Sequence, residues 1–252
     1  MIPIFKSHFS IGKSILRINN SEPESQGILQ IAKEEGLKKV FLVEDTLTGF
    51  LESAKVFTEN GMQLIFGLRL TACDSHTSDT KKDCHKVIVF AKNANGCRLL
   101  NKIYSKAFTG EFPSLELSEL KNLWCEHSLK LSIPFYDSFI YNNLMTFASC
   151  APSFNFTKPF FFIERNQLPF DVLLEDKVKE FCSQKNFETQ LVKSIYYKNK
   201  KDFDAFQTYK LICNRGGWSG KNISLEKPNL DHCASKEFSI QSWKEYNERT
   251  TA

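Results

Sequence analysis

What the chain lacks narrows it first. No stretch reaches the roughly 18 continuous apolar residues that a membrane helix needs. Met1-Ile2-Pro3-Ile4-Phe5-Lys6 has no basic start, apolar middle and small-residue cleavage site, so the expected compartment is the cytoplasm rather than a secretory route. The eight cysteines have no framework spacing, which leaves reduced thiols as the default. Asn155-Phe156-Thr157 matches a glycosylation acceptor and carries no meaning without secretion. Methionine and tryptophan are scarce, three of each, and 23 phenylalanines take their place, so the core is expected to be packed with rings. A formal charge of +4 is too small to define a polyanion-binding protein.

What remains is an alternation of strand and helix signals. Lys39–Val43, Gln63–Leu70, Lys86–Phe90, Leu129–Ile133, Phe160–Glu164 and Gln190–Tyr196 read as strands, with one more at the N-terminus. Helical stripes fall between them. Gln26–Leu37 stops at Gly36. A second helix, capped by Thr46 or Thr48, turns Leu47, Phe50, Leu51, Ala54 and Phe57 inward. Others cover Cys97–Phe108, Asp137–Phe147, Asp171–Cys182 and Asp202–Ile212. Repeated βα units predict an α/β chain with a parallel sheet or barrel, and about seven strands favour an incomplete, (β/α)7-type barrel over an open sheet. The expected organisation is a barrel over residues 1–213 and a linker or tail over 214–252, where Gly216, Gly217, Gly220 and Pro228 cluster.

Several short motifs invite chemistry. Gly12-Lys13-Ser14 lacks the earlier glycine of a phosphate loop, since Ser7 stands there, and reads as a turn opening a helix at Ser14. Cys73, His76, Cys84 and His85 offer two thiols and two imidazoles to zinc, at irregular spacing, in a polar segment over Thr71–Asp83. Cys125-Glu126-His127 has a nucleophile and a base but no third orienting group. Tyr196, Lys198, Lys200 and Lys201 interleave a ring with cations, a pattern suited to single-stranded nucleic acid; a solvated basic surface and a buried ring are the commoner outcomes.

Five segments in order carry a family resemblance: Phe5-Lys6-Ser7-His8, Phe41–Asp45, Gly61–Leu70, Phe160–Glu164, and Ser194–Tyr196 with the helix that follows. Together with Ile88–Phe112, which ends in Tyr104-Ser105-Lys106-Ala107-Phe108-Thr109-Gly110-Glu111-Phe112, they resemble the PHP domain (polymerase and histidinol phosphatase) at the N-terminus of DNA polymerase III alpha subunits. The resemblance implies a distorted barrel with a metal-dependent hydrolase site at its strand ends. It also implies a role in DNA replication, with a polymerase core as partner in cis or as a separate chain. Asn229–Trp243 resembles the linker that leads toward that core.

Carried over position by position, the family's metal site is depleted. His8, Glu44, Asp45 and Glu164 are the candidate ligands for a divalent manganese, zinc or magnesium ion. Lys6 stands in place of a histidine, Arg69 of a carboxylate, and Ser194 and Tyr196 of an aspartate and a histidine. A multinuclear hydrolase needs several converging oxygen and imidazole ligands. The expectation is therefore a structural or interaction domain, with a metal-dependent phosphoesterase or 3′–5′ exonuclease as the alternative.

Overall fold

A computed structural model describes residues 1–19, 26–74, 84–110, 113–214, 233 and 235–251. Its centre is a closed barrel of seven strands. In chain order these are β1 (Ile2–Phe5), β2 (Lys39–Glu44), β3 (Gln63–Cys73), β4 (His85–Ala91), β6 (Leu129–Ile133), β7 (Phe160–Ile163) and β8 (Glu188–Ile195). Each pairs with the next in that order, and β1 closes the ring against β8, with Ile4 opposite Ser194. A two-residue β5 (Leu115–Glu116) extends the sheet beside the end of β3.

The expected all-parallel alternation fails at one strand. β4 runs antiparallel to both β3 and β6, with Arg69 opposite Ile88 and Ile88 opposite Ser132. A period-two pattern identifies a strand but carries no direction, so βα counting could not see the reversal. Its consequence is positional: Lys86, at the start of β4, lies at the same barrel end as the C-termini of the parallel strands. Thr71–Cys73, expected in a polar loop, continue β3. His76 and the rest of 75–83 lie outside the described residues.

The helices α1 (Ile28–Glu34), α2 (Phe50–Glu59), α3 (Ala94–Thr109), α4 (Leu117–Asn122), α5 (Phe139–Met145), α6 (Asp171–Lys185), α7 (Phe203–Asn214) and α8 (Ile240–Thr251) complete the element order. Local chemistry sets their ends. Asn93 caps α3 by accepting the Gly96 N–H at 2.9 Å, and Ser138 caps α5 by accepting that of Tyr141 at 3.2 Å. Gly36 sits at φ +62° just past α1, as the sequence suggested. Two local expectations need correction. α2 begins after Gly49 with no side-chain cap, because the Thr46 hydroxyl bonds that of Thr48, and Leu51 is 78% exposed. No helix opens at Ser14, whose hydroxyl instead donates to the Tyr196 carbonyl at 2.9 Å.

Two apolar layers result. The larger lies between barrel and helices and includes Phe5, Phe57, Phe135, Phe139, Phe161 and Phe206. The smaller lines the barrel lumen with Ile4, Val43, Ile88, Phe90, Phe162 and Val192. Among the described residues no helix is long and apolar enough to cross a membrane. Part of the segment read as a tail returns to the barrel. Cys233, Phe238 and Ile240 are buried, the Trp243 indole donates to the Met1 carbonyl at 2.9 Å, and Lys244 pairs with Glu35 at 2.5 Å.

Candidate functional site at the barrel mouth

Strand alternation decides which side chains enter the lumen. The pairs Ile4–Phe41, Phe41–Ile65 and Gly67–Phe90 share a face, and stepping by two along each strand carries that face upward to Lys6, Asp45, Arg69 and Lys86. On the opposite wall the same step leads through Phe162 and Val192 to Glu164 and Ser194. The lumen is therefore apolar in its middle and charged at the end where βα-barrel enzymes hold their sites.

Lys6, Asp45 and Arg69 are mutually paired. The Lys6 ammonium donates to Asp45 Oδ1 at 2.8 Å, and Arg69 reaches the same oxygen at 3.7 Å. Arg69 also donates to Asp137 Oδ2 at 2.5 Å. Asp137 follows β6 and has φ +61°, an uncommon backbone for a non-glycine residue. Lys86 donates to the Thr71 hydroxyl at 2.6 Å.

Burial and pairing then shift the acidities. Burial pushes Lys6 below the usual lysine range, against the pull of Asp45. For Asp45, burial is outweighed by Lys6 and Arg69, and its carboxyl falls to about 2. Arg69 is held above its ordinary value because Asp137 and Asp45 outweigh its burial. Burial raises the Glu164 carboxyl, although Ser194 and Asn166 donate to it, and burial likewise raises the Tyr196 phenol.

The four expected ligands go to different places. Asp45 and Glu164 face the mouth. Glu44, one residue before Asp45, falls on the other face of β2: it accepts the Ser7 N–H at 2.8 Å and the Ser10 hydroxyl, pinning the turn after β1. Glu164 is already engaged, accepting the Ser194 hydroxyl at 2.8 Å, the Ser194 N–H at 3.1 Å and the Asn166 amide at 3.1 Å. His8 packs its ring against Phe9 at 4.3 Å, and its buried Nδ1 has no hydrogen-bond partner. Among the described residues no three or more His, Cys, Asp or Glu side chains converge as a metal site. The residues present do not fit a multinuclear metal centre. Two cations already occupy the Asp45 carboxylate, and Glu44 points away from it.

Three of the four expected nucleic-acid residues are also engaged. The Tyr196 ring stacks on Phe238 at 5.1 Å and on Phe206 at 5.8 Å. Lys198 pairs with Glu34 at 2.9 Å, and Lys200 with Glu245 at 2.7 Å and Glu237 at 3.2 Å. Lys201 is exposed.

Sequence reading did not single out Asp137, Lys86, Tyr136 or Asn166. The Tyr136 hydroxyl donates to Asp171 at 2.9 Å and accepts from Asn166 at 3.0 Å, bracing the loop beneath Glu164. Asp137 and Asn166 each lie a few residues past a strand end, and that position was their one available signal.

A pH prediction follows from the Asp45 shift. A carboxyl depressed in the folded state adds stability above its unfolded pKa and loses it as pH falls through the folded value; here that contribution is about 2 kcal/mol. Urea unfolding of the wild type and Asp45→Asn should differ most above about pH 5 and converge near pH 2. Glu164, whose carboxyl is raised, acts in the opposite sense, its penalty at neutral pH fading as it protonates.

Fold and mouth together define a distorted, seven-stranded α/β barrel whose polar end is closed by ion pairs. No family model and no curated protein matches the chain. Among solved structures it is similar to one from Bifidobacterium adolescentis assigned as a metal-dependent phosphoesterase. Identity there is 11% and the TM-score 0.40, over 76% of this chain and 85% of that one.

Proposed function

We propose that this chain is a PHP-like barrel domain in which an ion-pair network stands where a phosphoesterase would hold metals, and that it serves as a structural or interaction module. The observation that carries this reading is Lys6 and Arg69 converging on Asp45 inside the lumen. Fixed cations on that carboxylate neutralise it without holding a water for attack, so the arrangement stabilises the mouth and supplies no nucleophile. The finer form of the proposal rests on the resemblance around Ile88–Phe112: the partner is the core of a C-family replicative polymerase, in cis or as a separate chain. Size-exclusion chromatography with such a core tests it, and separate elution of the two would sink it.

A metal-dependent phosphoesterase is the second reading, favoured by Asp45, Asp137 and Glu164, which follow three different strands at the same end of the barrel without converging on one point, and by the unpartnered His8 Nδ1. Turnover of bis(p-nitrophenyl) phosphate and of 3′-labelled single-stranded DNA with manganese separates the two. The main reading expects no turnover above a buffer control. Manganese-dependent turnover that Glu164→Gln abolishes would establish the second.

A further inference from the structure

The barrel end opposite the charged mouth is open. A cavity of about 530 Å³ enters the lumen there, within the size range of small-molecule sites. Barrel lumens are ordinarily filled by layers of side chains. Here the layer is thin where the small Ser132 stands on the inward face of β6. A side chain at Gly67 would run into the Phe90 ring, so the two positions share one volume.

The walls sort by polarity. Deep in the cavity lie Ile4, Phe90, Phe162 and Val192, with Phe41 and Ile65 partly exposed above them. At the rim stand Gln63, Gln190, Lys92 and Lys130, and among the described residues no acidic side chain lines the cavity. Lys92 is at this end because β4 is reversed, which brings its C-terminal side to the base. Lys92 donates to the Glu126 carbonyl at 2.5 Å; Lys130 donates to the Lys158 carbonyl at 3.2 Å and lies 4.0 Å over the Phe160 ring. Among the described residues neither lysine makes an ion pair. Two acids stand nearby: Glu188, opposite Phe160 on β8, lines an adjoining hollow with Lys130, and Glu126 has its carboxylate held by the Trp124 indole at 2.8 Å and the Thr157 hydroxyl at 2.7 Å.

We propose that this end of the barrel binds an amphipathic carboxylate, a medium-chain alkyl acid, with its chain in the lumen and its head group at the Lys92–Lys130 rim. An apolar shaft removes the chain from water, and two rim cations that make no ion pair among the described residues select the anion. The site is independent of the mouth and of any chemistry there.

Isothermal titration of the purified chain with decanoate, decan-1-ol and decyltrimethylammonium tests the proposal. Saturable one-to-one binding of decanoate is expected, with the alcohol and the cation each weaker by about tenfold or more, the effect of one lost charge-assisted contact. Lys92→Gln with Lys130→Gln should weaken decanoate by a similar factor and leave decan-1-ol unchanged. Gln190→Trp at the rim and Ser132→Phe in the shaft should each remove binding while circular dichroism and melting stay near wild type. If one of the two fails to fold, the other decides. Absence of saturable binding, equal affinity for all three probes, or binding that survives the filled shaft would overturn the proposal.

Discussion

Asp45→Ala should lower the unfolding free energy by about 3 kcal/mol, the scale on which a buried ion pair is broken from one side. Removing Asp45 leaves the Lys6 ammonium, 6% exposed, with no carboxylate in contact. Arg69 keeps Asp137 and so loses less. The cost comes mainly from the stranded charge, not from the missing bond, and a double variant can show this. Lys6→Met with Asp45→Ala removes both charges and should recover most of the loss, because apolar replacements of buried pairs are often neutral. Urea denaturation with unchanged slope is the readout. A double variant no more stable than Asp45→Ala alone would show that Lys6 is not the stranded group.

Phe161→Ala should cost about 3–5 kcal/mol, at the upper end of core truncations. Phe161 is 1% exposed, stacks on Phe187 at 5.8 Å and 17°, and lies 5.5 Å from Phe181 and 6.2 Å from Phe139. Rigid rings on α5, on α6 and just after α6 cannot collapse into the space, so the cavity persists and the full penalty is felt. Phe147, 91% exposed, is the internal control: Phe147→Ala should leave the melting temperature within error. Comparable losses at the two positions would mean that the ring cluster is not what joins these helices to the barrel.

How much of this was legible in the sequence depends on what each signal encodes. Lys39–Val43 was found because burial on both faces leaves a continuous hydrophobic pattern, and Leu129–Ile133 because its leucines and isoleucine alternate with Lys130 and Ser132. The reversal of β4 was invisible because direction is not written in periodicity. Helix α8 was missed for a different reason. It is held by the Trp243 indole, the Lys244–Glu35 pair and a 2.9 Å bond between Arg165 and Tyr246, so it shows little apolar stripe. At the site, Lys6 and Arg69 could be read as intruding cations from the resemblance alone. Glu44 shows the limit of that reading. Adjacent strand residues face opposite ways, so aligning Glu44 and Asp45 to one site could place only one of them in the lumen.

The most direct test of the central claim is metal content by elemental analysis after the purified chain is exposed to manganese and zinc and then desalted. An ion-paired mouth predicts far less than one metal per chain, unchanged in Asp45→Asn and Glu164→Gln. One or more tightly held ions per chain, lost in either variant, would contradict it and make the barrel mouth a metal centre.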